Sequence, residues 1–574
     1  MSGTLMRRAL SKAVRNGVFL PKRDLSRCAD GIITSGLADV HIPDVPIEEF
    51  VFEKAHKWEN HIVAECSVTG RKYTYGQYRQ KVKNLDRSLR KKMKLQKGDV
   101  VALLLPNVPE FPLACLGILR GGLTVTTINP IYTPDEISTQ LIDSNAKAII
   151  TLTDFTKLAQ ASLGVAKKQL PILTINTTSG QSTATGTINF SEFTDNPVDF
   201  PDENSISSDD VAFLPYSSGT TGKPKGVELT HRNIVANLSQ LEHPKITIIR
   251  ETTGDFQDIT PGVLPMFHIY GFTVCSTHSM RLGNKIVTLP KFTPDLYISV
   301  LKKYKPSVLY IAPPLAIFLA NNPQVTKEDL QTVRTVMCGA APLGKLDEDR
   351  LVQKADNGLN VMQGYGLTET SPVVLCTRRE FSNDEKAIGS IGIPCTNTLV
   401  KLVNVDDPEG PAVPIGQPGE ILVKGPQVMK GYHNRPEETE ATFTKDGWLR
   451  TGDLMKYENG YLFVQDRIKE LIKVKGFQVA PAELEEILRS FPNVLDAAVI
   501  GIPNESHGEV PRAYLVPKPK SKIDINNLIE YFNQKVAPYK RLNGGISIVE
   551  SIPKNPSGKI MRRVLKDQHL QNTK

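Results

Sequence analysis

The chain has 574 residues, 40% of them hydrophobic and 23% charged, which exceeds what one core usually holds and predicts two or more domains with ample apolar material to bury. The formal net charge is +8, but residues 1–23 carry Arg7, Arg8, Lys12, Arg15, Lys22 and Arg23 and no acid, so six of the eight charges sit there and a basic nucleic-acid-binding body is not supported. No run of eighteen apolar residues occurs, the most apolar region, 100–125, being broken by Pro106, Asn107, Pro109 and Glu110, so no membrane span is expected.

On a helix turning about 100° per residue, Met6, Leu10, Ala13 and Val14 share one face, while Arg8, Lys12 and Arg15 share the other. An amphipathic, arginine-rich start, acid-free over residues 1–23, makes residues 1–29 read as a mitochondrial transit peptide, with a disordered basic tail in the cytoplasm as the alternative. The chain ends Gln571-Asn572-Thr573-Lys574 rather than in a peroxisomal Ser-Lys-Leu. The seven cysteines are scattered and never spaced C-x-x-C, so neither a disulfide framework nor a zinc site is expected, and a reducing interior fits.

Residues 42–58 read as an extended stretch entering a helix, and 73–93 as a charged amphipathic helix. A regular alternation follows: strand 99–105, helix 110–119, strand 123–128, then a helix start at Thr133-Pro134-Asp135-Glu136, with cap, N1 proline and acids for the dipole. Strand 147–152, helix 155–168 and strand 171–175 continue it, which implies a parallel sheet with helices on both faces and ligands beyond the strand C-terminal ends. The rhythm resumes over 262–336, with strands at 286–289 and 308–311. From 389 to 464 short β runs at 398–403, 420–425 and 461–464 are separated by Gly and Pro turns, as in a small barrel or meander. Beyond Arg467 the pattern becomes α+β: strand 471–474, helix 481–490, strands 494–500 and 512–516, helix 525–536. The expected fold is α/β, a large N-terminal domain of doubly wound parallel sheets plus a small β-barrel, followed by a small mobile α+β C-terminal lid. The divisions fall at a 1–29 presequence, a 30–465 main domain and a 466–574 lid.

Four groups of residues carry chemistry. In LPYSSGTTGKPKGVELTHRN, residues 214–233, the small or hydroxylated Ser217, Ser218, Gly219, Thr220, Thr221 and Gly222 precede Lys223 and Lys225. Such a loop brings backbone N–H groups, hydroxyls and point charges onto a polyanion, a phosphate cradle. It is not the loop of nucleotide hydrolases, because Lys-Pro-Lys follows Gly222 and Pro224 lacks an N–H; a helix could begin near Thr230 or His231. In Gln363-Gly364-Tyr365-Gly366-Leu367-Thr368-Glu369-Thr370, after a strand at 360–362, glycines leave the Tyr365 ring face open for a flat ligand, and Thr368 with Glu369 sets a hydroxyl beside a hard carboxylate suited to Mg²⁺. Read alone, the string fits a tight turn around a core tyrosine equally well. Asp453, after the Gly452 turn, could accept two ribose hydroxyls or be a plain turn residue. Lys473, Lys475 and Gly476, with Lys559 in NPSGKIMRR, lie on the lid, where lysines are ordinarily solvated; His268 in PMFHIYG reads as a packed core histidine.

These strings, in this order, resemble the signatures of the adenylate-forming superfamily, which contains acyl-CoA synthetases, coumarate-CoA ligases, beetle luciferases and the adenylation domains of peptide synthetases. The resemblance runs from about Asp30 onward. It implies an ATP-dependent, AMP-forming acid-CoA ligase that takes a carboxylic acid and CoA, with ATP and Mg²⁺, and no nucleic acid. By resemblance the nucleotide is held by Ser217, Ser218, Gly219, Thr220, Thr221, Lys225, Gly339, Ala340, Ala341, Gln363, Gly364, Tyr365, Thr368, Asp453, Arg467 and Lys559. Tyr365 would stack on adenine, Thr368 touch the α-phosphate, Glu369 hold magnesium, Asp453 and Arg467 reach the ribose, and Lys225 meet the leaving pyrophosphate. Lys559 would bridge acid and phosphate in adenylation, and Lys473, Lys475 and Gly476, with Lys291, would serve CoA after the lid rotates about a hinge at Asp466. His268, Tyr270, Gly366 and Cys376 are expected at the acyl pocket, whose mostly apolar strings PMFHIYGF and LTETSPVVLC lean toward a medium- or long-chain fatty acid over a hydroxycinnamic ring. Pro372, where luciferases carry serine, speaks against light emission.

Overall fold

The alternating strands and helices of the first third build a nine-stranded sheet, in a computed structural model that describes residues 30–178, 180–203, 205–217, 224–381, 384–474, 477–504, 506–556 and 558–572. Its middle strands Thr124–Thr127, Val100–Leu104, Ala148–Leu152 and Ile172–Ile175 are parallel neighbours in that order. Successive side chains point to opposite faces of a strand, and both faces here are covered. Val101 and Leu103 join a cluster with Leu85 and Leu116 from helices Tyr75–Lys92 and Glu110–Arg120. Val100, Ala102 and Leu104 join another with Ile137, Leu141 and Leu163 from helices Pro134–Asp143 and Thr156–Ala166. The expected start of helix Pro134–Asp143 is a full capping box: Glu136 Oε2 accepts from the Thr133 N–H at 2.8 Å, and Thr133 Oγ1 accepts from the Glu136 N–H.

Val211–Phe213 extends this sheet in parallel beside Thr124–Thr127, and the chain then doubles back, so that Lys225–Thr230 runs antiparallel to it with Lys225 opposite Ser217. The helix that follows, His231–Leu241, begins at the Thr230 cap, where Asn233 Oδ1 accepts from the Thr230 N–H at 2.9 Å. Residues 218–223, the heart of the phosphate cradle, lie outside the described residues, as do residues 1–29, Lys475 and Gly476.

Two further parallel sheets follow. Ile259–Gly262, Lys285–Thr288 and Ile62–Cys66 form one, edged by antiparallel Lys72–Thr74. The last of these displaces the expected helix start at 73 to Tyr75, because Thr74 with Gln77 forms the capping box. Val308–Ile311, Thr335–Cys338 and Asn360–Gly366 form the other, continued by antiparallel Val373–Cys376 and Ile393–Pro394. The strand expected at 360–362 therefore runs to Gly366, because the Gly-Tyr-Gly segment finds hydrogen-bonding partners in Val373–Cys376.

Between the barrel and the meander expected over 389–464, the described strands take a meander-like antiparallel sheet: Asp407–Ala412, Leu399–Asn404, Pro418–Lys424, Leu449–Glu458 and Tyr461–Arg467 in that order, with the first and last as its edges. After Arg467 a further five-stranded sheet is built around the hairpin Val494–Asn504 and Gly508–Pro517. It packs helices Pro481–Arg489 and Ile525–Lys535 through Leu484, Leu488, Val499, Leu515, Leu528 and Phe532, a core of its own. Asp466, placed by the sequence at the division, is the penultimate residue of strand Tyr461–Arg467. Among the described residues no helix is long and apolar enough to cross a membrane.

Candidate active site

The C-terminal ends of these sheets bring together segments separated by hundreds of residues. Asp453 and Arg467 stand opposite each other on adjacent antiparallel strands, with Arg467 Nε 3.3 Å from Asp453 Oδ1. The other carboxylate oxygen of Asp453 accepts a 2.6 Å hydrogen bond from the Tyr365 hydroxyl. Burial, and then the Asp453 charge, push the Tyr365 phenol well above its ordinary range, so it stays a donor. Tyr365 is aimed by the chain on its C-terminal side: a β-carbon on Gly366 would lie 1.9 Å from the Pro372 carbonyl oxygen, so only glycine allows this close return of the backbone.

Glu369 lies one residue after Thr368 in the short turn Thr368–Thr370. Its Oε1 accepts hydrogen bonds from the Tyr432 hydroxyl at 2.9 Å and the Ser217 hydroxyl at 3.3 Å, and its backbone carbonyl accepts from the Met429 N–H at 2.8 Å. The end of the phosphate-loop strand and the strand Gly431–Tyr432 are thereby tied to one carboxylate. Lys225 is ion-paired with Glu438 of helix Pro436–Thr442, and its ammonium sits 4.9 Å from the centre of the Tyr432 ring.

Behind Tyr365, Gln363 clamps the segment after strand Thr335–Cys338. Its Oε1 accepts from the Leu343 N–H at 2.9 Å and its Nε2 donates to the Leu343 carbonyl at 3.1 Å. The clamped segment contains Gly339, Ala340 and Ala341, with Ala340 in the left-handed region at φ +72°, where a β-carbon is strained. Tyr270 lies across Gly339, its ring 3.0 Å from where a β-carbon would be, and donates to the Met337 carbonyl at 3.2 Å. Gly364 faces the Met337 sulfur in the same way at 3.5 Å. His268 is half-buried at the head of the π-helical stretch Tyr270–Thr277, and desolvation holds its imidazole down at about 4, neutral at physiological pH. Cys376, opposite Gly364 in register, is buried with its sulfur 3.9 Å from that of Cys395, in the apolar cluster that Tyr270 packs against.

Lys559 reaches this assembly from the lid. Its turn is closed by Asn555, whose Oδ1 accepts from the Lys559 N–H at 2.8 Å and whose N–H donates to the Lys559 carbonyl at 2.9 Å. Burial first, then the Arg467 charge, push its ammonium down to about 8, while Asp453 and Glu470 oppose the shift. Lys559 is thus within electrostatic reach of the Asp453–Arg467 pair. Arg562, three residues on, pairs with both oxygens of Glu485 in helix Pro481–Arg489 and with Glu470 in the turn after Arg467, anchoring the C-terminal helix Arg562–Asn572 to both. At the boundary, Asp466 accepts from the Arg467 N–H at 2.7 Å and from the Ala482 N–H of helix Pro481–Arg489 at 2.9 Å, and burial raises its carboxyl to about 6.

Other predicted residues stand apart. Lys473 is exposed on strand Ile472–Val474 with its N–H on Glu509, and Lys291 is exposed before Phe292; neither bonds to the cluster among the described residues. Sequence reasoning missed Tyr432, Glu438 and Arg562. The doubled arginine after Lys559 was a signal for Arg562, whereas nothing in spacing linked Tyr432 to Glu369.

Comparison with known proteins agrees with this geometry. The family model for AMP-binding enzyme matches residues 51–433, and that for the AMP-binding enzyme C-terminal domain matches residues 483–559. The chain is 37% identical to 4-coumarate-CoA ligase 1 of Arabidopsis thaliana, over 95% of this chain and 97% of that one. It is 38% identical to 4-coumarate:CoA ligase 1 of Petunia hybrida, over 95% and 98%. Among solved structures, ATP-bound MatB from Rhodopseudomonas palustris superposes with a TM-score of 0.81 at 25% identity, covering 93% of this chain and 100% of that one.

Gln363→Ala removes both partners of the Leu343 backbone, leaving two buried groups unpaired. Urea unfolding is expected to show a loss of about 1–3 kcal/mol, and an unchanged midpoint would mean that the clamp holds nothing.

Proposed function

The chain belongs to the AMP-binding enzyme family and is an ATP-dependent, AMP-forming acid-CoA ligase; from that premise we propose that its acid is a medium- or long-chain fatty acid and assign its residues to the two half-reactions. In the first, a carboxylate oxygen attacks the α-phosphorus of ATP, and the bond to the leaving pyrophosphate breaks. In the second, the CoA thiol attacks the acyl carbon and AMP leaves with the electron pair. Neither step needs a protein nucleophile, so the protein supplies alignment, which can contribute about 7–11 kcal/mol, and placed charges or donors of about 3–4 kcal/mol each.

Asp453 and Arg467 take the ribose, with Tyr365 beneath the adenine, and Thr368 meets the α-phosphate. Lys559 bridges the acid and the α-phosphate. The observation that carries this assignment is the desolvated Lys559 ammonium beside the Asp453–Arg467 pair; among the described residues it has no hydrogen-bond or ion-pair partner, so its charge is free for substrate. Lys225 meets the pyrophosphate, which must compete with Glu438 for it. Ser218, Gly219, Thr220 and Thr221 cradle the phosphates, and Lys473, Lys475, Gly476 and Lys291 serve CoA once the lid has turned at Asp466.

Magnesium fits at Glu369. Both hydroxyls on that carboxylate fall on Oε1, and Oε2 accepts from no described residue, while no cage of three or more acidic, His or Cys ligands occurs among the described residues. One carboxylate plus substrate phosphates is the arrangement magnesium favours, and there it would neutralise phosphate charge.

The fatty acid reading rests on the surroundings of Tyr270 and Cys376, where Leu264, Val274, Met337 and Met362 dominate and the Tyr270 hydroxyl is already engaged, and on the neutral His268 imidazole beside the Phe267 ring. A hydroxycinnamic acid is the second reading, supported by the activity named for the Arabidopsis and Petunia relatives. We place the enzyme in mitochondria on the strength of residues 1–29.

Lys559→Ala is expected to slow pyrophosphate exchange by about 100-fold or more with the fold intact. Because the ammonium form is the active one and its free-enzyme value is about 8, kcat/KM for ATP should fall as pH rises through that value. Lys559→Arg should push this limb upward, and a limb that stays put would assign it to another group. AMP release with CoA across saturated fatty acids and hydroxycinnamic acids separates the two substrate readings; preference for the ring acids would reverse their order. Fluorescent fusions with and without residues 1–29 should differ in mitochondrial import, and identical cytosolic distributions would refute it.

A further inference from the structure

We propose that Gly558 is a positioning residue of the adenylation step: its bare α-carbon lets the Lys559 turn seat against Pro314, and this contact sets how far the lid carries Lys559 into the site. The inference rests on the reading of Lys559 given above.

Gly558 lies in the left-handed region at φ +84°. A β-carbon built on it would stand 3.0 Å from both Cγ and Cδ of Pro314 and 3.3 Å from the Ala312 β-carbon. Neither side of this contact can yield easily. Pro314 is the second residue of helix Pro313–Asn321, its ring has no rotatable end, and the segment follows the fully buried strand Val308–Ile311. The opposing turn is equally stiff: the Gly558 N–H donates to the Asn555 carbonyl at 2.8 Å, and both backbone groups of Lys559 are bonded to Asn555. A shift of the turn is therefore passed to Lys559 undamped. No described residue bonds the Lys559 ammonium, so its place is set by the turn and by what the turn rests on.

The contact also assigns Gly558 to one half-reaction. In the rotation proposed above, residue 558 would leave Pro314, so bulk there is expected to affect adenylation and not thioester formation. Backbone strain at a left-handed alanine would act in both lid positions, which separates the two explanations.

The test is a set of four full-length variants, Gly558→Ala, Pro314→Ala, their combination, and Lys559→Ala, with octanoic and 4-coumaric acids as probes. Pyrophosphate exchange reports the first half; consumption of supplied octanoyl- or 4-coumaroyl-adenylate by CoA reports the second and shows that each variant is folded. Gly558→Ala is expected to lose about 10- to 100-fold in exchange, the scale of a small misplacement, and to stay within about twofold in thioester formation. Pro314→Ala, which removes the two ring carbons, should restore most of that loss in the double variant. Exchange by Gly558→Ala at the unmutated rate would overturn the proposal, as would a loss that Pro314→Ala does not relieve. If Lys559→Ala itself exchanges normally, the Lys559 reading fails, and that result is visible whatever Gly558→Ala does.

Discussion

The carboxylate of Asp453 is the point on which three parts of the molecule meet. It sits on the antiparallel sheet, receives the Tyr365 hydroxyl from the end of a parallel sheet, and faces Arg467 at the start of the lid. With only 7% of its side chain exposed, it meets its partners rather than water: the Tyr365 hydroxyl on one oxygen and the Arg467 guanidinium beside the other. Removing any one of the three leaves the other two with an unmet charge or donor in a poorly hydrated place. The same residues that would read a ribose also fix the mutual position of the sheets that make the cleft, so binding and architecture depend on one set of bonds.

Around that point the chain uses length rather than local motif. Gln363 reaches 20 residues back to Leu343, Tyr432 reaches 63 residues to Glu369, and Arg562 reaches 77 to Glu485. Each of these side chains holds a segment that carries predicted site residues, and none touches the nucleotide position through a local turn. For Gln363 the parallel sheet makes that reach possible, because the neighbouring strands Thr335–Cys338 and Asn360–Gly366 run in one direction and end at the same rim.

This difference in reach explains what was legible in the sequence. Continuous apolar runs and cap residues are local, so strands such as Val308–Ile311 and the helix starts at Thr133 and Thr230 stood out. Tyr365, Glu369, Asp453, Arg467 and Lys559 were singled out because their strings resemble family signatures; read alone, they fit turns or solvated side chains at least as well. Their supporting partners were not: Gln363 read as a ligand residue, and Tyr432 and Glu438 lie in no string that the sequence reading singled out. The extension of strand Asn360–Gly366 was hidden for a related reason: Gly-Tyr-Gly is turn-like by composition, and only pairing with a strand beyond the Glu369 turn makes it extended. The bond that Asp466 accepts from Ala482 joins residues sixteen apart, the second of them inside a helix that starts at Pro481, a pairing that no window of sequence displays.

Asp466 has a thermodynamic consequence. Its folded-state value of about 6 lies above the ordinary 3.8, so the ionised form is the disfavoured one: the penalty is absent below about pH 4, grows between the two values and is complete above 6. At neutral pH the fold therefore holds a carboxylate short of water at the end of strand Tyr461–Arg467. Acid thus relieves this junction between the antiparallel sheet and helix Pro481–Arg489 of a charge penalty that it carries at neutral pH.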